Sequence, residues 1–133
     1  MFYRILALTL MAVMFPWTGP VLATDVRSRF LLQQSPVAGF RYHEGKAVWE
    51  EMKVGDSLTL VREPDNPYDG NAVRVDWQGH PIGYVPRTDN EALARFLDQG
   101  MKAEARIVRL KKSRNPRQRV LFEVLLPMQG MPH

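Results

Sequence analysis

Arg62-Glu63-Pro64-Asp65-Asn66-Pro67-Tyr68-Asp69-Gly70-Asn71-Ala72-Val73 is the stretch on which the reading of this chain turns. Its two prolines withhold amide donors and fix backbone torsions, so neither a helix nor a central strand can run through it. Asn66 and Asp69 carry short polar side chains suited to bonding their own backbone, and Gly70 accepts conformations closed to other residues. The segment is a long, rigid turn. On both sides the pattern changes to period two. In Ser57–Glu63, Leu58, Leu60 and Arg62 share one face and Thr59 and Val61 the other; in Asn71–Trp77, Val73, Val75 and Trp77 point the same way. Two strands joined by a shaped turn are expected.

Working outward, Gln78-Gly79 makes a tight connection to a third short strand at Ile82–Val85, which stops at Pro86. Upstream, Val54-Gly55-Asp56 reads as a turn, Lys46–Met52 as a short helical turn with Trp49 and Met52 on one face, and Val37–Tyr42 as a strand. Downstream, Asp89–Gln99 is the one convincing helix. Thr88 and Glu91 have the spacing of a capping box, Leu93, Phe96 and Leu97 form the apolar stripe, and Gly100 suits a left-handed stop. Lys102–Leu110 and Arg119–Leu126 read as two further strands, and Trp49, Trp77 and Phe96 are assigned to the core. Several short strands, one capped helix and regular turn signals describe a mainly β chain, folded as a small barrel or a strongly bent sheet.

The ends are different. Met1–Arg4 carries one positive charge, Ile5–Phe15 is apolar apart from Thr9, and Pro16, Gly19 and Pro20 break the run before Val21-Leu22-Ala23. Residues 1–23 read as a signal peptide removed after Ala23; an uncleaved anchor is the rival, but a spanning helix needs about 20 apolar residues without such breakers. The chain is then expected to be periplasmic or secreted, with no membrane span after cleavage. Removing the leader takes away one Arg and no acid, leaving 17 basic against 14 acidic residues, a net charge of +3. Residues 24–36, with the apolar triplet Phe30-Leu31-Leu32, are expected to be a polar lead-in, 37–126 the folded domain and 127–133 a C-terminal tail. A length of 133 residues excludes a full Rossmann or TIM-barrel enzyme. The absence of cysteine excludes disulfides, thiolate zinc sites and thiol nucleophiles.

With Gly39-Phe40-Arg41-Tyr42 before it and Ile82-Gly83-Tyr84-Val85-Pro86-Arg87 after it, the opening segment resembles the HIRAN family. That domain is found at the front of some DNA-remodelling and fork-remodelling ATPases, and also alone in bacteria. The resemblance covers Pro36 to Leu126 and implies an OB-like β-barrel of six strands or so with one or two short helices. In eukaryotic relatives the domain binds single-stranded DNA and captures its free 3′-hydroxyl end, so the resemblance implies a nucleic-acid-binding module. Asp69 would accept the terminal hydroxyl and repel a terminal phosphate. Tyr42 and Tyr68 would stack on bases, at about 1–3 kcal/mol each. Arg41 would pair with a phosphate, and Asn66 would read a base edge or brace the loop. The same residues also suit a rigid turn, with Asn66 and Asp69 as loop braces and Tyr68 as a core plug.

Lys111 to Arg119 holds five cations in nine residues, and Lys111, Lys112, Arg114 and Arg117 form a supporting basic patch on a projecting hairpin tip. Its plain alternative is a solvated loop. His43, His80 and His133 are too scattered for a zinc site, and no glycine-rich phosphate loop is present. Glu63, Asp65, Asp69 and Asp76 would have to gather round a divalent ion for metal-dependent hydrolysis, and no base or transition-state cation accompanies them. The expectation is a monomeric binding module with no catalytic residue, metal or cofactor. Export separates the domain from any replication fork, which keeps a second reading open: a barrel re-used for another anionic or peptide ligand. A small secreted phosphodiester hydrolase comes third.

Overall fold

The computed structural model describes residues 28–128, together with Pro16 and Gly19. Five strands form where the alternation and the turn chemistry place them, and a sixth is added at the front. They are β1 (Arg29–Pro36), β2 (Ser57–Arg62), β3 (Val73–Trp77), β4 (His80–Tyr84), β5 (Glu104–Leu110) and β6 (Val120–Pro127). Two short α-helices, α1 (Gly45–Val48) and α2 (Glu91–Asp98), are accompanied by single 3₁₀ turns at Phe40–Tyr42, Trp49–Glu51, Arg87–Asp89 and Pro116–Gln118. All strand pairs are antiparallel, in the order β1-β6-β5-β2-β3-β4. The mainly β, six-stranded architecture expected from the sequence is the one observed, and it is compatible with an OB-like shape.

Two features bend the sheet around its core. β2 is shared: Ser57 and Leu58 pair with Arg106 and Ala105 of β5, whereas Thr59 to Arg62 pair with Asp76 to Val73 of β3. Just past β1, Ala38 then exchanges two backbone hydrogen bonds with Tyr84, at 2.8 and 2.9 Å. That single bridge joins the continuation of the first strand to the last strand in the order. The enclosed core includes Phe40, Val75, Ile82, Leu93, Ile107 and Phe122, all sealed from solvent. Burial of each large apolar side chain stabilises the fold by roughly 1.5–3 kcal/mol. Trp77 lies in this core, Trp49 packs against its edge, and Phe96 is only half-buried.

Several sequence expectations are corrected. Arg29–Pro36, expected within a polar lead-in, is a full strand paired along β6. A register shift between Leu31 and Gln33 breaks its alternation, and its polar residues have distant partners. The buried Ser35 hydroxyl donates to Asp89 Oδ2 at 3.1 Å, and Gln33 Nε2 donates to the Asp89 carbonyl at 2.9 Å. Val37–Tyr42 is not a strand beyond the Ala38 bridge, because Gly39 (φ 73°) turns the chain into the 3₁₀ turn, closed by Tyr42 N–H to the Gly39 carbonyl. No capping box forms at Thr88 and Glu91. Thr88 is taken into the Arg87–Asp89 turn, and Asn90 precedes α2 without capping it through its side chain. β6 extends to Pro127, the first residue of the expected C-terminal tail, and Met128 N–H bonds the Ser28 carbonyl at 3.0 Å. The signal peptide expected over residues 1–23 lies outside the described residues except at Pro16 and Gly19. No helix among the described residues is long and apolar enough to cross a membrane.

Gly83 tests the bridge. A Cβ there would overlap the Ala38 carbonyl oxygen and Val37 Cγ1, and φ is 152°. Gly83→Ala is expected to destabilise the fold by about 2–4 kcal/mol, combining backbone strain with overpacking. Chemical denaturation measures the loss, and a neutral substitution would remove the bridge from its place in the fold.

Candidate functional site

The turn quoted at the outset, residues 63–72, is built almost entirely from its own side chains. Glu63 N–H bonds the Ala72 carbonyl at 3.0 Å and closes its base. Asn66 Oδ1 accepts from the amides of Tyr68 (2.9 Å) and Asp69 (3.2 Å), while Asn66 Nδ2 donates to Glu63 Oε1 at 3.1 Å. Asp69 Oδ1 accepts from Asn71 N–H at 2.9 Å, and Oδ2 from Asn90 Nδ2 at 2.7 Å. From outside, Arg62 donates to the Gly70 and Ala72 carbonyls at 2.7 and 3.1 Å and pairs with Asp98 of α2 at 2.9 Å. Asn66 is therefore a loop brace, and Asp69 is one as well.

Both also face a cleft of about 390 Å³, lined by Asn66, Pro67, Tyr68 and Asp69 on one side and by Ala38, His43, Tyr84 and Arg87 on the other. The Tyr84 and His43 rings meet at 5.4 Å between centroids. Arg87 Nε stands 3.8 Å from Asp69 Oδ2, and the same guanidinium donates to the Tyr68 carbonyl. Arg87 is largely exposed, so this pair adds little stability; its consequence is a cation held beside a carboxylate. A carboxylate offers about four acceptor positions, and the two hydrogen bonds Asp69 makes leave capacity for a further donor.

Tyr68 is not a core plug: it is 83% exposed, and Tyr42 is 78% exposed. Tyr42 lies on the Phe40–Tyr42 turn next to the cleft-lining His43, with the Arg41 guanidinium 5.4 Å from its ring centroid. The structure thus gathers Asn66, Tyr68 and Asp69 into one cleft and sets Arg41 and Tyr42 on its neighbouring turn. Lys111, Lys112, Arg114 and Arg117 are exposed on the β5–β6 connection. Of these, Arg117 lines a groove of about 280 Å³ that shares Ala38 and Arg87 with the cleft.

Beneath the cleft lies a polar network that the sequence reading did not assemble. Glu63 Oε1 accepts the Tyr84 hydroxyl at 2.7 Å, and Glu63 Oε2 accepts Arg74 Nη1 at 2.9 Å. Arg74 also grips Asp76 through two nitrogens, at 2.8 and 3.1 Å. The Tyr84 hydrogen bond, helped by those from Asn66 and Arg74, holds the Glu63 carboxyl below its usual range. The same bond to Glu63, with burial, pushes the Tyr84 phenol up. Arg74, bonded first to Asp76, is raised further above its already high value. The four carboxylates considered for a divalent ion are accordingly not gathered: Glu63 and Asp76 are taken up by Arg74, and the described residues contain no group of three or more His, Asp or Glu placed to hold a metal. Tyr84 and Arg87 stood within the quoted Ile82–Arg87 hexapeptide, and His43 directly follows Tyr42, so adjacency marked them. Asn90 had no such mark; the turn holding Asp69 and the start of α2 are 21 residues apart in sequence.

These features define a small antiparallel β domain whose loop-built cleft pairs a carboxylate with a cation between aromatic faces. The HIRAN domain model matches residues 30–129, and the chain belongs to the HIRAN domain family. A Fanconi-associated nuclease 1 homolog of Oryza sativa subsp. japonica is 33% identical over 85 residues, which is 61% of this chain and 8% of that protein. The helicase-like transcription factor of Oryctolagus cuniculus is 40% identical over 63 residues, 47% of this chain and 6% of the relative. The chain therefore spans less than a tenth of the length of these relatives. Among solved structures, a protein from Lactobacillus plantarum superposes with a TM-score of 0.63 at 28% identity, covering 75% of this chain and 95% of that one. The HIRAN domain of human HLTF gives a TM-score of 0.59 at 24% identity, covering 76% and 81%, a likeness of fold.

The network has a pH signature. Because the folded Glu63 carboxyl is held below its unfolded value, its stabilisation is complete above about pH 4.3 and is lost as pH falls through the lower folded pKa. Tyr84→Phe removes the largest cause, so the Glu63 pKa is expected to rise toward the ordinary carboxylate value. A carboxyl-carbon NMR titration reads this directly; an unmoved Glu63 would refute the assignment.

Proposed function

We propose that this chain is a nucleic-acid-binding module that seats the free 3′-hydroxyl end of a single strand in the cleft between the 63–72 turn and Tyr84. The observation that carries the reading is the Asp69–Arg87 pair, with spare acceptor capacity on the carboxylate, rimmed by exposed Tyr68. A 3′-terminal nucleotide presents a hydroxyl donor and, on its other side, a phosphate. Asp69 accepts the first and Arg87 takes the second. A 3′-phosphate would instead bring about two negative charges against the carboxylate. Tyr68 and Tyr42 offer open faces to bases, and Arg41 a fork of donors to the backbone. Membership of a family shared with a helicase-like transcription factor and a nuclease homolog supports a nucleic-acid ligand.

The module reads as a binder rather than an enzyme, acting as a monomer without cofactor, in the periplasm or outside the cell once residues 1–23 are removed. The nuclease and helicase-like names belong to relatives of which this chain spans 8% and 6%, and neither activity is carried over to it.

Fluorescence anisotropy with a short single strand ending in a 3′-hydroxyl, beside the same strand ending in a 3′-phosphate, tests the reading. The hydroxyl end is expected to bind tighter, and Asp69→Asn, which keeps an acceptor for Asn71, is expected to remove the difference. Tyr68→Ala is expected to cost about 1–3 kcal/mol of affinity for either strand. Equal binding of both ends by the wild-type protein would overturn end recognition and favour re-use of the cleft for another anionic or peptide ligand.

A further inference from the structure

The cations of this domain are not distributed evenly with respect to acids. Arg29, Arg62, Arg74, Arg87, Arg95 and Arg106 each stand within salt-bridge distance of a carboxylate. On the far side of the Phe40–Tyr42 turn from the end-binding cleft, a groove of about 200 Å³ is lined by Phe40, Arg41, Lys46, Arg114, Pro116 and Arg119. Four of its six lining residues are cations and none is an acid. Among the described residues, no carboxylate pairs with any of the four.

The groove is built rather than incidental. The β5–β6 connection that forms one wall is braced internally. Lys111 N–H bonds the Arg119 carbonyl at 2.9 Å, and Asn115 Oδ1 accepts Arg117 N–H at 3.1 Å to cap the Pro116–Gln118 turn. Arg119 is fixed from two sides: its Nε donates to the Ser113 carbonyl at 2.9 Å, and its guanidinium lies 5.3 Å from the Trp49 ring centroid. Trp49 in turn meets Phe40 edge-on at 5.8 Å. Like charges held together over apolar walls repel one another and focus a positive field, a condition that a polyanion relieves. Their spread along an open groove suits successive phosphates better than a single one.

Position supplies the connection. One short segment faces both sites, Phe40 and Arg41 toward the groove and His43 toward the cleft. We infer that the Arg41, Lys46, Arg114 and Arg119 groove is a second subsite, which holds internucleotide phosphates of the single strand whose end lies in the cleft. The inference rests on the end-binding reading and extends it: the footprint is several nucleotides long, and the β5–β6 connection sets its length.

Lys46→Ala/Arg114→Ala is the informative variant, because both side chains are exposed and neither braces the fold, whereas Arg119 does. The full chain and the variant are titrated by anisotropy with a 3′-hydroxyl trinucleotide and a 3′-hydroxyl decanucleotide over a range of salt. Wild type is expected to bind the longer strand more tightly, and the variant to lose most of that gain. The slope of log affinity against log salt for the longer strand is expected to fall by about 1.4, two phosphates at about 0.7 each for a single strand. Trinucleotide affinity and the preference for hydroxyl over phosphate ends should be unchanged. Retention of the length gain by the variant overturns this subsite and leaves the end-binding reading intact. An equal loss in Lys111→Ala/Lys112→Ala, whose residues lie outside the groove, also overturns it, since general basicity would then suffice. Failure of wild type to bind either strand overturns the nucleic-acid reading and this one with it.

Discussion

Glu63 accepts hydrogen bonds from three separate stretches of chain: Tyr84 of β4, Arg74 of β3 and Asn66 of the turn that Glu63 itself begins. Through Asn66 the constraint passes on to the amides of Tyr68 and Asp69, and through Arg74 to Asp76. The cleft stands on this carboxylate. Its turn wall and its Tyr84 wall are both bonded to one group, so they cannot move apart without breaking charge-assisted bonds in a partly dry site. An isolated Asx-rich turn would hold its shape but not its distance from β4.

The Ala38–Tyr84 bridge does for the backbone what Glu63 does for the side chains. It brings the segment after β1 against β4 and so delivers Ala38 and His43 to the cleft wall opposite Asp69. The immediate reversal at Gly39 then presents Arg41 and Tyr42 outward. One turn of chain thereby separates a mixed-charge cleft, where Asp69 faces Arg87, from a wholly cationic groove. Under the proposed function, that division matches two tasks in holding a strand: a hydroxyl end needs an acceptor, and a phosphate backbone needs only donors.

The strands flanking the 63–72 turn were legible because their side chains alternate and their connections carry distinctive turn residues. β1 was not. Its polarity looks like that of a surface segment until Asp89, 54 residues away from Ser35, supplies the partner that lets Ser35 be buried. The Thr88–Glu91 spacing suggested a cap for the same kind of reason, since a local pattern was read without its competitor. The chain instead spends Thr88 in a 3₁₀ turn and Asn90 on Asp69. Of the candidate site, Asn66, Tyr68 and Asp69 could be named in advance because their spacing is local. Tyr84 and Arg87 were visible only as neighbours in a motif, Glu63 only as one of four carboxylates considered for a divalent ion, and Arg74 had no visible role.

By itself, the sequence determined the period-two strands, the rigid Asn66–Asp69 turn, the absence of any cysteine chemistry and the HIRAN resemblance, all of which rest on residues close together along the chain. Only the tertiary structure decided that Glu63 lies under the turn rather than in a metal cluster, that Asp69 faces Arg87, and that Lys46 joins Arg114 and Arg119 across a groove. The physical reason is the same in each case. Hydrogen bonding and charge depend on distance in space, and alternation along a sequence records which face a residue takes but not what the fold will set against it.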